Sequence, residues 1–166
     1  MMGGRVGCRI VGVGQPLAGD DGAGPAVIAW LRTIALPAGI QVETVPEPSA
    51  LLRLLEGPAA PPLVVVDAVL AEPPGQVVEL SAWEIAATAL ASVSSHGMTV
   101  GQALALADAV RPAGVPPPDI QLVAISIARP LRGARSLSPA VAAAVPRAAD
   151  LALARAMQAM QVQEGD

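Results

Sequence analysis

The run Leu63-Val64-Val65-Val66 narrows the fold more than any other feature of this chain. Its apolar residues do not alternate with polar ones, so both faces of the strand must be covered. A strand covered twice belongs in a mostly parallel sheet with helices on either side. The rest of the chain supplies the alternation that such a sheet needs. Arg9–Val13 reads as a first strand. Pro25–Ile34 reads as a helix with Val27, Trp30, Leu31 and Ile34 on one face at i, i+3, i+4 and i+7, and Pro25 suits its first turn. Ile40–Val45 is a second strand, and Ser49–Leu55 a short helix closed by Gly57. Pro58–Pro62 reads as a loop, and Gln76–Leu80 as a fourth strand. The connection from Asp67 to that strand is too short and too proline-rich for a right-handed helical crossover, which predicts an antiparallel strand. Thr99–Val110 is a helix with Val100, Ala103, Leu104, Ala107 and Val110 inward, followed by a proline-rich turn and a fifth strand from Ile120 to Ile125. Ser138 and Pro139 read as N-cap and first turn of a last helix, which Pro146 should kink or divide. The expectation is a three-layer α/β/α sandwich around a mostly parallel five-stranded sheet with one antiparallel strand. Residues 1–166 form one domain, and the polar tail frays after about Gln161.

Composition removes several functional classes. Hydrophobic residues make up 53% and the mean hydropathy is +0.55, yet there is no Phe or Tyr, so the core must be aliphatic. No apolar run reaches the roughly 18 residues of a spanning helix. Arg5 and Arg9 are followed by neither an apolar block nor a cleavage site, so we expect no signal peptide and a cytoplasmic protein. The net charge is −4 and every basic residue is Arg, which lacks the electrostatic footprint of a nucleic-acid binder. A single cysteine, Cys8, excludes an internal disulfide and a multi-cysteine metal site, and reads as a small buried hydrophobe.

Chemistry concentrates in three places. Val11–Gly24 is a strand, a glycine-punctuated turn carrying Asp20 and Asp21, and the start of a helix. A carboxylate there can cap that helix and meet its positive end; this accounts for Asp20 or Asp21 equally well, but not for both. Asp67 follows the buried strand, either as a solvated strand end or as a functional group. His96, the only histidine, lies in SSHGMT before the next helix, where Gly97 permits close backbone approach. Ligands of such sheets bind beyond the carboxyl ends of the strands, where Asp20, Asp21 and Asp67 all fall. One or two Asp and a His form an oxygen and nitrogen donor set suited to Ni, Zn or Mn, with positions open for water or substrate. Protonation of the His below about pH 6 should weaken it.

Three rivals fit less well. Gly12 and Gly14 open a dinucleotide-binding GxGxxG pattern, but Leu17 holds its third position and the acidic pair repels a pyrophosphate. A phosphoacceptor receiver domain would need a Lys, and the chain has none. A nucleophilic hydrolase built on Ser94, Ser95, Ser126 or Cys8 would lack a GxSxG elbow, and His96 is the sole base.

GVGQPLAGDDGAG, then VVVDAV, then SSHGMT closely resemble the nickel–iron hydrogenase maturation endopeptidases in order and spacing. The resemblance spans nearly the whole chain, including Leu122–Ile127 with Ala128-Arg129-Pro130 behind it, and the LSP that starts at Leu137. It implies an α/β/α fold with a five-stranded sheet. It also implies removal of a short C-terminal extension from the hydrogenase large-subunit precursor once nickel has been inserted. The family's metal-contacting and catalytic positions correspond to Asp21, Asp67 and His96, with nickel supplied by the substrate and no permanently bound cofactor. The implied partner is that precursor, and a monomer is expected, with no nucleic acid and no membrane. The alternative is a non-hydrolytic nickel-sensing or chaperone module on the same precursor. Gln15 replaces the family's usual Asn, Val45–Ala50 (VPEPSA) its acidic-Gly-Gly-Thr or Ser stretch, and Ser136 a frequent glycine; these departures bear on substrate choice.

Overall fold

A computed structural model describes residues 6–57, 60–81, 84–85 and 97–164. Five strands form one sheet: β1 (Cys8–Val13), β2 (Ile40–Val45), β3 (Leu63–Leu70), β4 (Val77–Ser81) and β5 (Ile120–Ile127). Their spatial order is β2-β1-β3-β5-β4. The first four of these run parallel, and β4 lies antiparallel on β5 from Val77↔Ile125 to Ser81↔Gln121. The helices described with them are α1 (Ala23–Leu31), α2 (Val100–Ala109) and α3 (Pro139–Glu164). Short 3-10 segments cover Gly19–Gly22 and Pro48–Leu54. The α/β architecture with one antiparallel strand is the one expected.

Each sheet face carries its own core. α1 and α3 cover one face, burying Ile10, Val64, Val66, Val123 and Ile125 against Val27, Ile28 and Leu31. α2 and the second 3-10 segment cover the other, over Val11, Val65, Leu122 and Leu51. Each fully buried Val, Leu or Ile contributes about 1.5–3 kcal/mol. The buried face of α3 is mostly alanine: Ala144, Ala148, Ala149, Ala152, Ala156 and Ala159, with Val141 and Val145. No helix among the described residues is long and apolar enough to cross a membrane.

Several details differ from the sequence reading, each for a local reason. α1 buries Gly24, Val27, Ile28 and Leu31, whereas Trp30 is 44% exposed and Ile34 lies beyond the helix end. The stripe keeps helical spacing but starts earlier, because Gly24 seats directly on the sheet. A Cβ there would lie 2.7 Å from the Val66 carbonyl oxygen, and one on Gly12 would lie 2.7 Å from the Gly24 carbonyl carbon. The glycines of the opening motif thus serve close helix–strand packing. Val110 falls outside α2 and is largely exposed. β3 does not stop at Val66: it continues alongside β5 to Leu70, so Asp67 lies within the strand and does not end it. α3 passes through Pro146 undivided and reaches Glu164, beyond the expected fraying point at Gln161. Trp83, Ser94 and Ser95 lie outside the described residues.

Candidate active site

The first candidate carboxylates are placed by the turn after β1. Gly14 has φ +129 and donates its N–H to the Val45 carbonyl at 3.0 Å, tying the strand end to β2. A Cβ on Gly14 would meet the Asp21 carbonyl oxygen, so only glycine lets the acidic segment fold back over the end of β1. This close approach sets Asp21 at the carboxyl edge of the sheet, exposed and facing a cleft of about 860 Å³.

Asp20 faces elsewhere. Its Oδ1 accepts a 2.6 Å hydrogen bond from the backbone N–H of Ser138, 118 residues away, at the entry to α3. Neither carboxylate caps the helix that follows it: Gly22 is the N-cap of α1, with no side-chain capping bond. The expected cap is thus displaced from α1 to α3, where Asp20 meets the positive end of the dipole. Ser138 does not cap with its side chain either, for its buried Oγ has no hydrogen-bond partner among the described residues.

Asp67 lines the same cleft as Asp21. β1 pairs with β3 only as far as Gly12↔Val66, so Asp67 is the first β3 residue past the cover of β1. Its Oδ1 accepts from the Ala68 N–H at 2.8 Å. Burial pushes its pKa up to about 7; the Ala68 hydrogen bond opposes this and the nearby Asp21 charge adds to it. A carboxyl titrating there can hold or release a proton near neutrality, or exchange its proton for a metal ion.

His96 lies outside the described residues. The segment directly after it, Met98, Thr99, Val100 and Gly101, lines the cleft. Thr99 fixes that segment by capping α2: its Oγ1 accepts from the Gln102 N–H at 3.2 Å while Gln102 Oε1 accepts from the Thr99 N–H at 2.9 Å. Asp21 and Asp67 are therefore brought to one cavity, and the described residues include no group of three His, Cys, Asp or Glu able to hold a metal by themselves.

Sequence reading missed Glu47. It stands in the cleft wall just after β2, with Oε1 accepting from Ser49 Oγ at 2.8 Å. The available signal was position: a carboxylate after β2 falls at the same sheet edge as one after β1. Among the described residues no basic side chain lines the cleft, while Val13, Leu80, Ile85 and Leu122 supply apolar surface.

Two other candidate nucleophiles, Ser126 and Cys8, are structural. Ser126 is 1% exposed; its Oγ donates to the Pro73 carbonyl at 2.7 Å and accepts from the Gln76 N–H at 2.8 Å, holding the connection into β4. Cys8 is fully buried, and that burial, with the Asp119 charge behind it, raises its thiol to about 11, far from a reactive thiolate.

The sequence model of the hydrogenase maturation protease family matches residues 46–155. No curated protein sequence matches the chain. Among solved structures, the [NiFe] hydrogenase maturation protease HybD from Thermococcus kodakarensis is similar at 28% identity, with 90% of this chain and 98% of that one covered and a TM-score of 0.69. The hydrogenase 2 maturation peptidase from Thaumarchaeota archaeon SCGC_AB-539-E09 is similar at 26% identity, covering 89% and 96%, with a TM-score of 0.61. The hydrogenase maturating endopeptidase HybD from E. coli shares the fold at 23% identity, covering 91% and 92%, with a TM-score of 0.71.

Proposed function

Because the chain belongs to the hydrogenase maturation protease family, we propose that it is an endopeptidase that trims the C-terminal extension of a nickel–iron hydrogenase large-subunit precursor after nickel insertion. The observation that carries this reading is the pairing of Asp21 and Asp67 in one cleft at the carboxyl edge of the sheet. Nickel in this reading is cargo of the substrate. Asp21 and Asp67 offer it oxygen donors and His96 a nitrogen, a set that suits a borderline divalent ion and leaves the remaining positions to the precursor. Engaging the ion docks the scissile bond against the cleft wall. A metal-bound water reaches a pKa of about 7 in favourable sites, which makes hydrolysis feasible at neutral pH. Without metal, burial raises Asp67 to about 7, so its carboxyl must give up its proton as it takes the ion. Recognition through nickel would make cleavage a checkpoint on assembly of the hydrogenase centre. We read residues 1–166 as one domain acting as a monomer in the cytoplasm.

Mass spectrometry of the precursor tests this. Nickel-loaded precursor incubated with the chain should lose a C-terminal peptide, and nickel-free precursor should not. Asp21→Asn and His96→Ala should each abolish the loss. Complex formation with no peptide released in any sample would sink the protease reading in favour of a nickel-sensing or chaperone module.

A further inference from the structure

The chain is acidic overall at −4, yet it has no Asp or Glu between Asp119 and Asp150. Within that interval Arg129, Arg132 and Arg135 fall on the loop between β5 and α3, and all three are exposed. Ion pairs among the described residues engage Arg53, Arg111 and Arg155, not these three. Three like charges on one short loop repel one another, and an outside negative charge would relieve that repulsion, more so at low salt.

The loop is anchored beside the candidate site. A Cβ on Gly19 would lie 3.1 Å from the Ala134 Cβ, and Asp20 holds the Ser138 N–H at 2.6 Å. The same acidic turn contributes Ala18 and Asp21 to the cleft. Two leucines flank the contact in the open: Leu17, 73% exposed, and Leu131, 81% exposed. Arginine forks beside exposed aliphatic side chains have the composition of a protein-docking rim, since Arg is enriched at interfaces and pairs carboxylates in a two-pronged geometry.

Resting on the protease reading above, we propose that the Arg129–Arg135 loop is a docking surface for an acidic segment of the protein substrate, placed to steer the precursor's scissile end into the adjacent cleft. Charge complementarity selects this occupant. A nucleic acid or an anionic membrane would bring its negative charges up to the Asp21, Glu47 and Asp67 cleft as well, whereas a short acidic segment can meet the loop alone. Rim charges of this kind act mainly on association rate and on salt dependence.

The test compares the full chain with its Arg129→Ala/Arg132→Ala/Arg135→Ala variant, after thermal melting shows that both fold. Binding to immobilised nickel-loaded precursor and cleavage kinetics are followed from 0.05 to 0.5 M NaCl. At low salt the variant should associate about 5- to 20-fold more slowly, with KM raised by a similar factor, and the gap should close at high salt. The Lys triple variant should recover most of the low-salt rate. Identical rates and salt profiles for wild type and Ala variant overturn the proposal. So does a loss confined to phosphatidylserine vesicles or a DNA oligonucleotide with precursor kinetics unchanged. Salt-dependent binding that the Ala variant loses, with no cleavage by wild type, sinks the protease reading and leaves the docking surface standing.

Discussion

Asp20 and Asp21 are chemically identical neighbours with opposite expected phenotypes. The Asp20 carboxylate accepts a 2.6 Å bond from the Ser138 N–H at the start of α3. A hydrogen bond to a charged group contributes about 1.5–3 kcal/mol, and loss of a cap costs about 0.5–2 kcal/mol. Asp20 is only partly buried, so the lower part of the range applies and Asp20→Ala should cost about 1.5 kcal/mol. Unfolding entropy of about 2.1 cal/mol/K per residue gives a chain of 166 residues about 0.35 kcal/mol per degree, so Tm should fall by about 4 °C. Asp20→Asn keeps an acceptor oxygen but loses the charge, and should cost about a third as much. Asp21 makes no comparable bond among the described residues, and Asp21→Asn should stay within about 0.5 kcal/mol of wild type in stability while losing cleavage. Differential scanning calorimetry, with precursor cleavage measured on the same samples, gives both readouts. An unchanged Tm for Asp20→Ala, or an equal drop for Asp21→Asn, would refute this division of labour.

Asp67 yields a pH prediction. Its folded pKa of about 7 lies above the ordinary 3.8, so between these values the folded state holds the extra proton and stability falls as pH rises. With metal chelated, Asp67→Asn should melt close to wild type near pH 4 and progressively above it towards pH 8; a flat difference would show that burial does not raise this carboxyl. Ser126→Ala leaves the Pro73 carbonyl and the Gln76 N–H without their buried partner. It should cost about 2 kcal/mol, or about 6 °C in Tm, with kcat preserved, and loss of turnover in a variant that still folds would reinstate Ser126 as a reacting group.

What the sequence made legible was whatever local chemistry determines. Ile40–Val45 is legible to the residue because turns with proline, at Pro37-Ala38-Gly39 and at Pro46-Glu47-Pro48, bound it on either side, and the antiparallel β4 follows from a connection too short to cross over. The far end of β3 escaped because Asp67-Ala68-Val69-Leu70 is held in the sheet by pairing with β5, a partner more than fifty residues away. α1 was displaced towards its N-terminus because a stripe count gives weight to bulky residues, and here glycine makes the closest contact with the sheet. Asp21 and Asp67 were readable as candidates from their place at the sheet edge. The partner of Asp20 is not, since nothing near it in sequence points to Ser138, and Glu47 is hidden because it sits between two prolines with no glycine motif to mark its loop. His96 lies outside the described residues, and the resemblance alone carries its assignment.

The alanine face of α3 has a consequence for how a molecule like this can vary. Alanine has no rotamers to freeze, so burying Ala144, Ala148, Ala152 and Ala156 orders that wall at almost no side-chain entropy cost. Such a contact is also nearly free of alternatives. A larger side chain has no second pose in which to fit, and there is no smaller one to substitute except glycine, which weakens the helix. The helix thus acts as a fixed spacer behind the sheet. Room for adaptation lies on the opposite face and along the carboxyl-edge loops, where Glu47 and the segment before α2 stand.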